Sequence, residues 1–284
     1  MATECTPVIR VAVASADFIG QAQQLADKLS LPMHSAGSDA YDYLLEYSDS
    51  GLALVPSADK GYGSIRCDFA GSEHSHRRRH GGGNGQAIAK AVGVSGKFAP
   101  QVLDLTAGLG GDGFVLASLG CTVAMLERNP IVHSLLADGL SRGGEKSRGR
   151  ESTGYDSRDP ELDEIINRLS LLEGSAADYL NSLAEQLISS EAEVWRPDIV
   201  YIDPMFPMRK KSAKVKKQMQ AFHAIVGADN DADQLLASAL AVAQYRVVVK
   251  RPAGAGFLAQ TKPSYSLEGK STRYDIYALK KLPQ

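Results

Sequence analysis

Apolar and polar positions follow two different rhythms along the chain. In the first seventy or so residues the apolar runs are short and irregularly joined. Val8-Ile9-Arg10-Val11-Ala12-Val13 reads as a strand, and Ser15 as the cap of a helix running to about Leu29. Tyr43 to Tyr47 and Leu52 to Val55 flank Asp49-Ser50-Gly51, a hairpin signal. Ile65 to Phe69 predicts one more short strand. These pieces predict a small α+β unit over residues 1–72, with residues 73–284 forming a larger domain.

From about residue 100 strands and helices alternate. Val102 to Leu105 predicts a short buried strand, followed by a glycine turn and a helix ending before Gly120. Thr122 to Leu126 is a second strand, after which Asn129-Pro130 opens a helix as N-cap and first-turn proline. Residues 141–158 are rich in Gly, Ser and Arg and read as a surface loop. Asp159-Pro160 restarts a helix with Leu162, Ile165, Ile166 and Leu169 on one face. Leu169 to Leu172 is a third strand, and Ser175 caps the next helix with Asp178 three residues on. Ile199 to Ile202, a helix through Leu235 to Val242, and Arg246 to Lys250 continue the alternation. Ser264 to Leu267 and Tyr274 to Leu279 flank Glu268-Gly269-Lys270, so the chain ends on a hairpin and its last strand runs antiparallel. Repeated strand–helix units imply an α/β fold with a parallel sheet covered on both faces, whose ligands sit beyond the carboxyl ends of the strands.

Composition narrows the picture little. The 284 residues are 44% hydrophobic and 23% charged, ordinary for a globular protein with a sizeable core. A formal net charge of −2 means that any nucleic-acid binding comes from local patches. Three cysteines, Cys5, Cys67 and Cys121, are too few and scattered for a disulfide framework or zinc site. His74, His76 and His80 have no neighbouring Cys or acid pair, so no metal is expected. Without a signal segment or a membrane-length apolar run, a cytoplasmic protein with no membrane partner is the simplest expectation.

The turn Asp104-Leu105-Thr106-Ala107-Gly108-Leu109-Gly110-Gly111-Asp112-Gly113 joins the first strand of the alternating region to its helix. Gly108, Gly110 and Gly111 let a ligand approach the backbone, and the helix start presents unpaired N–H groups. Glu127 ends the second strand at close to the roughly 20-residue spacing of a ribose-binding acid. Asp112 stands where a dinucleotide would place its pyrophosphate, and Asp104 adds a second carboxylate. On charge, that lining favours the cationic donor S-adenosylmethionine (SAM) over NAD.

Asp203-Pro204-Met205-Phe206-Pro207 follows the apolar fourth strand of this region. The exocyclic amine of a base is a weak nucleophile because its lone pair is delocalised. Asp203 and the Pro204 carbonyl can accept its two N–H bonds, and the fixed φ of proline holds that carbonyl in place. Phe206 offers a face on which the base stacks. Methyl transfer would then depend on positioning, with no covalent enzyme intermediate.

Two basic segments complete the candidate chemistry. Arg77, Arg78 and Arg79 precede a glycine-rich stretch, and Lys210, Lys211, Lys214 and Lys217 follow Phe206 without intervening acids. Both suit RNA phosphates, which position a substrate without reading its sequence.

Taken in order, these blocks resemble the ribosomal RNA small subunit methyltransferase J family over roughly residues 50–284. The resemblance rests on His76-Arg77-Arg78-Arg79 with its following glycines, Ala107-Gly108-Leu109-Gly110, Leu126-Glu127-Arg128-Asn129-Pro130, Asp203-Pro204-Met205-Phe206-Pro207, Lys211-Ser212-Ala213 and Arg273-Tyr274-Asp275-Ile276-Tyr277. It implies a Rossmann-like class I methyltransferase sheet and methylation of N2 of a guanosine in small-subunit rRNA. The substrate would be that RNA or the assembled small subunit, with S-adenosylhomocysteine as product. It implies SAM contacts at Gly111, Asp112, Glu127, Arg128, Ser175, Ala176 and Asp203. Gly111 stands where that family carries arginine, which leaves a backbone contact there.

The residues themselves leave other readings open. An amino-methyltransferase of DNA bases shares the Asp-Pro chemistry. An NAD-dependent oxidoreductase would want phosphate-friendly residues at Asp112. A non-catalytic RNA-binding protein would take up RNA but no SAM.

Overall fold

The structure is a computed structural model that describes residues 6–35, 40–71, 83–147, 159–205, 225–227, 229 and 231–283. The chain separates into two compact units. The first comprises Met1–Asp68, Asn129–Arg142 and Met205–Ala228, and the second Phe69–Arg128, Gly143–Pro204 and Asp229–Gln284.

The first unit holds a three-stranded sheet in the order β1-β2-β3, formed by β1 (Ile9–Val13), β2 (Tyr43–Ser48) and β3 (Gly51–Pro56). β1 runs parallel to β2, and β2 antiparallel to β3. Helix α1 (Ile19–Leu29) buries Ala22, Leu25 and Ala26. Two expectations fail here. Ser15 makes no capping bond; its hydroxyl donates to Asp17 at 3.3 Å, and a 3-10 turn over Ala16–Phe18 precedes α1. Ile65 to Phe69 is not a strand. Burial of Ile65 and Cys67 on alternate residues imitates one, but the segment's β-pairing is an isolated bridge from Ile65 to Leu54.

The remaining elements are α2 (Ala87–Val92), β4 (Gln101–Asp104), α3 (Gly111–Ser118), β5 (Thr122–Glu127), α4 (Pro130–Ser147), α5 (Pro160–Asn167), β6 (Leu169–Glu173), α6 (Ala176–Ser189), β7 (Ile199–Ile202), α7 (Ala232–Val242), β8 (Arg246–Pro252), β9 (Tyr265–Glu268) and β10 (Thr272–Ala278). The seven-stranded sheet of the second unit has the order β6-β5-β4-β7-β8-β10-β9. Its first five strands are mutually parallel, and β10 lies antiparallel to both β8 and β9. This is the α/β architecture with a terminal antiparallel hairpin that the sequence rhythm predicts.

Successive strand residues point to opposite faces. Leu103, Val200, Ile202, Val247 and Val249 join Leu180, Leu183, Leu235 and Leu236 of α6 and α7 in one core. The intervening positions Asp104, Tyr201 and Lys250 turn to the face carrying α3. Val247, Val248 and Val249 are completely buried, and each such side chain contributes on the order of 1.5–3 kcal/mol. A one-residue slip of β8 would drive Lys250 into that core, so burial sets the register that places Lys250 at the sheet's end.

Helix α4 corrects the expected 141–158 loop. Asn129 caps it by accepting from the backbone N–H groups of Ile131 and Val132 at 3.0 and 3.2 Å. The helix then runs to Ser147, and residues 148–158 lie outside the described set. Its glycines mark close packing. A Cβ at Gly139 would lie 2.5 Å from Cys67 Sγ and 3.0 Å from the Cys67 carbonyl oxygen; one at Gly143 would lie 3.0 Å from Ile166 Cδ1. Overpacking of about 1–3 kcal/mol less the roughly 1 kcal/mol helical gain from alanine leaves Gly139→Ala expected to lower stability by up to about 2 kcal/mol. Urea unfolding measures this, and a raised midpoint would show that Cys67 yields.

Candidate active site

The sheet order reverses between β4 and β7, and in open α/β sheets that reversal opens a ligand crevice beyond the strand ends. Asp104 ends β4 and Asp203 follows β7. The turn between β4 and α3 is held at several points. Leu105 N–H donates to the Tyr201 carbonyl and Ala107 N–H to the Leu126 carbonyl, both at 3.0 Å. Gly108 N–H donates to Glu127 Oε2 at 2.9 Å. Gly108 and Gly110 adopt φ of 57° and 74°, conformations that side chains disfavour. A Cβ on Gly108 or Gly111 would meet nothing within 4 Å, so open space lies beside the turn.

Asp203 is fixed from two sides. Its backbone N–H donates to Thr106 Oγ1 at 2.7 Å, and Oδ2 lies 2.8 Å from the Lys250 ammonium. The same ammonium donates to Asp112 Oδ2 at 2.7 Å, which also accepts from the Tyr201 hydroxyl at 2.6 Å. Tyr201 is fully buried, and burial, then Asp112 and Asp203, keep its phenol protonated as a donor. Pro204 is buried next to Asp203.

Burial pushes Asp104 up to about 7, with its Thr106 N–H bond pulling down and Asp112 and Asp203 pushing further up. Burial also pushes Asp203 up to about 6, against the pull of Lys250 and with a further push from Asp112. The Asp203 side chain remains 37% exposed. Lys250 is held cationic: its burial works against the charge, but Asp203 and Asp112 outweigh it.

The strand tips place the other expected contacts in one row. Glu127 ends β5, directly opposite Glu173 at the end of β6. Ser175 caps α6 just beyond, accepting from Asp178 N–H at 3.5 Å, with Ala176 as the first helical residue. At roughly 4.8 Å per strand spacing, Glu127 and Asp203 stand about 10 Å apart across β4. Arg128 turns to acids of its own chain, donating to both carboxylate oxygens of Asp231 at 2.9 Å and to Asp229. Phe206, Lys210, Lys211, Lys214, Lys217, Arg77, Arg78 and Arg79 fall outside the described residues.

One argument from the sequence needs correction. Asp112 does not offer an uncompensated negative charge to a cationic ligand, because Lys250 and Tyr201 already occupy its Oδ2. Charge at the helix start therefore does not separate SAM from NAD. Lys250, Tyr201 and Thr106 were not anticipated. The signals were a lysine ending an all-valine run and a tyrosine inside an apolar strand, since a buried hydroxyl requires a partner.

The family model described as "Putative SAM-dependent methyltransferase" matches residues 24–279. The chain is 47% identical over 275 residues to ribosomal RNA small subunit methyltransferase J of Cellvibrio japonicus (strain Ueda107), covering 95% of this chain and 97% of that protein. It is 45% identical over 282 residues to the protein of the same name from Pseudomonas aeruginosa (strain UCBPP-PA14), covering 99% of each. The crystal structure of a SAM-dependent methyltransferase from Neisseria gonorrhoeae superposes with a TM-score of 0.67 at 32% identity, covering 95% of both chains. This chain belongs to the ribosomal RNA small subunit methyltransferase J family of SAM-dependent methyltransferases.

Proposed function

We propose that this SAM-dependent methyltransferase acts on the exocyclic N2 amine of a guanosine in small-subunit rRNA. The observation that carries this reading is Asp203, anchored by Thr106 and Lys250 where the sheet order reverses. The names of the near-full-length relatives favour rRNA over a DNA base.

The residues present suit SAM. The open space beside Gly108 and Gly111 admits a ligand against the turn, with Asp104, Gly110 and Asp112 shaping it. Glu127 receives the ribose hydroxyls, and Arg128, Ser175 and Ala176 border the adenosine. When bound, SAM supplies an electrophilic methyl group and leaves as S-adenosylhomocysteine.

The chain's own residues prepare the amine. Asp203 accepts one N–H and the Pro204 carbonyl the other, which favours localising the lone pair on nitrogen. Phe206 stacks the base, contributing roughly 1–3 kcal/mol by analogy with single-strand binders. As N2 gains its methyl it sheds one proton, which the Asp203 carboxylate takes and passes to water. Arg77, Arg78, Arg79, Lys210, Lys211, Lys214 and Lys217 hold phosphates. We assign the catalysis to residues 73–284 and none of it to residues 1–72. No helix among the described residues is long and apolar enough to cross a membrane, and we place the protein in the cytoplasm, where the small subunit is assembled.

Incubation with methyl-labelled SAM and separate samples of rRNA, small subunits and DNA tests the reading. Digestion to nucleosides and mass spectrometry should find label in N2-methylguanosine from the ribosomal samples alone. Label in a DNA base, or in a different ribonucleoside, would overturn it.

A further inference from the structure

We propose that Lys250 is a positioning residue whose ammonium clamps Oδ2 of Asp203 against Asp112, so that Asp203 presents Oδ1 to the substrate amine as an ionised acceptor. The inference rests on the role given to Asp203 above and assigns the group that makes that role possible.

Geometry carries it. One ammonium reaches Asp203 Oδ2 at 2.8 Å and Asp112 Oδ2 at 2.7 Å. Asp112 is held in turn by Tyr201 at 2.6 Å, and Tyr201 sits in the middle of the sheet with no exposed surface. The clamp is thus tied to the rigid core, while the Thr106 bond at 2.7 Å fixes the Asp203 backbone. Two anchors on different atoms leave the carboxylate little rotational freedom. The Lys250 side chain is 25% exposed, so the ammonium is partly withdrawn from water. There its field acts on Asp203 with less screening than at an open surface.

The clamp matters because Asp203 is crowded by acids. Asp104 faces it from β4, Asp112 from α3, Tyr201 from β7, Tyr274 from β10 and Asp229 from the segment before α7. Lys250, from β8, is the cation that favours its charged form. Without it, desolvation and the remaining acids would hold Asp203 protonated near neutral pH, and a protonated carboxyl offers the amine a poorer acceptor. Lys250 itself stays charged, so it neither gives nor takes the reaction's proton.

The test is a carbon NMR titration of protein labelled at the aspartate carboxyl carbon, with Asp203 assigned by its loss in D203N. In the parent protein Asp203 should titrate near 6. In K250M its midpoint should rise by about 1–2 units, the usual effect of removing an adjacent opposite charge, and K250R should bring it back down. The acidic limb of kcat/KM should move with it. An unchanged Asp203 midpoint in K250M overturns the proposal.

Should K250M not fold, the parent protein decides. The Lys250 Nζ nitrogen signal should change at the Asp203 midpoint and show no deprotonation of its own below pH 9. A separate Lys250 titration in that range, or no response at the Asp203 midpoint, overturns it. The carboxyl titration needs neither SAM nor RNA. A raised Asp203 midpoint in K250M, with a parent protein that methylates no RNA, would therefore sink the functional reading and leave the clamp standing.

Discussion

Asp203→Ala is expected to lower kcat for methyl transfer by at least about 100-fold, the usual consequence of removing one precisely aimed polar group from a reacting centre. The protein should stay folded. Asp203 lies beyond the end of β7, 37% exposed, and contributes nothing to the sealed core of Leu103, Val200 and Val247. Its loss does not strand the neighbouring cation, because Lys250 keeps Asp112 at 2.7 Å. Tm should therefore change by only a few degrees, and SAM affinity by much less than kcat. Single-turnover assays with labelled SAM, run beside thermal unfolding, separate these quantities. A folded variant with near-parent turnover would remove Asp203 from the chemistry.

Glu127→Ala should act on binding instead. The carboxylate accepts from Gly108 N–H at 2.9 Å, fixing the turn, and is assigned the ribose hydroxyls. Hydrogen bonds to a charged acceptor contribute about 1.5–3 kcal/mol, so the SAM Kd should rise roughly 10- to 100-fold. At saturating SAM, kcat should fall far less, because the interaction is present before and during the reaction. Glu127→Gln keeps an acceptor for Gly108 and should fall between the two. Titration calorimetry measures all three proteins. An unchanged Kd in the alanine variant would place the ribose elsewhere.

Most of the fold was legible because it depends on local rhythm. The short apolar runs at β4, β5, β7 and β8 with helices between them dictate a covered parallel sheet, and Asn129-Pro130 and Glu268-Gly269-Lys270 mark ends that the backbone respects. The errors occurred where local pattern and tertiary packing disagree. Gly143 and Gly144 look like loop residues, yet both lie in α4, where a Cβ on Gly143 would stand 3.0 Å from Ile166 Cδ1. Ile65 and Cys67 alternate like a strand without pairing like one. Helix α2 was not anticipated at all.

The site was legible in part for the same reason. Asp104, Gly108, Glu127 and Asp203 stand at the ends of recognisable strands, so their convergence follows from topology. The partnership of Lys250 with Asp112 joins residues 138 apart, and no local pattern encodes it. Only the oddity of a lysine closing Val247-Val248-Val249 pointed that way. Arg128 shows the converse: adjacent to Glu127 in sequence, it pairs with Asp229 and Asp231.

A crystal structure with S-adenosylhomocysteine is the most direct test of the whole arrangement. The account predicts the ribose on Glu127, the adenosine lying toward Ser175, and the sulfur over the β4 turn facing Asp203. A product molecule bound away from the carboxyl ends of β4 and β5, or with its sulfur turned from Asp203, would contradict it.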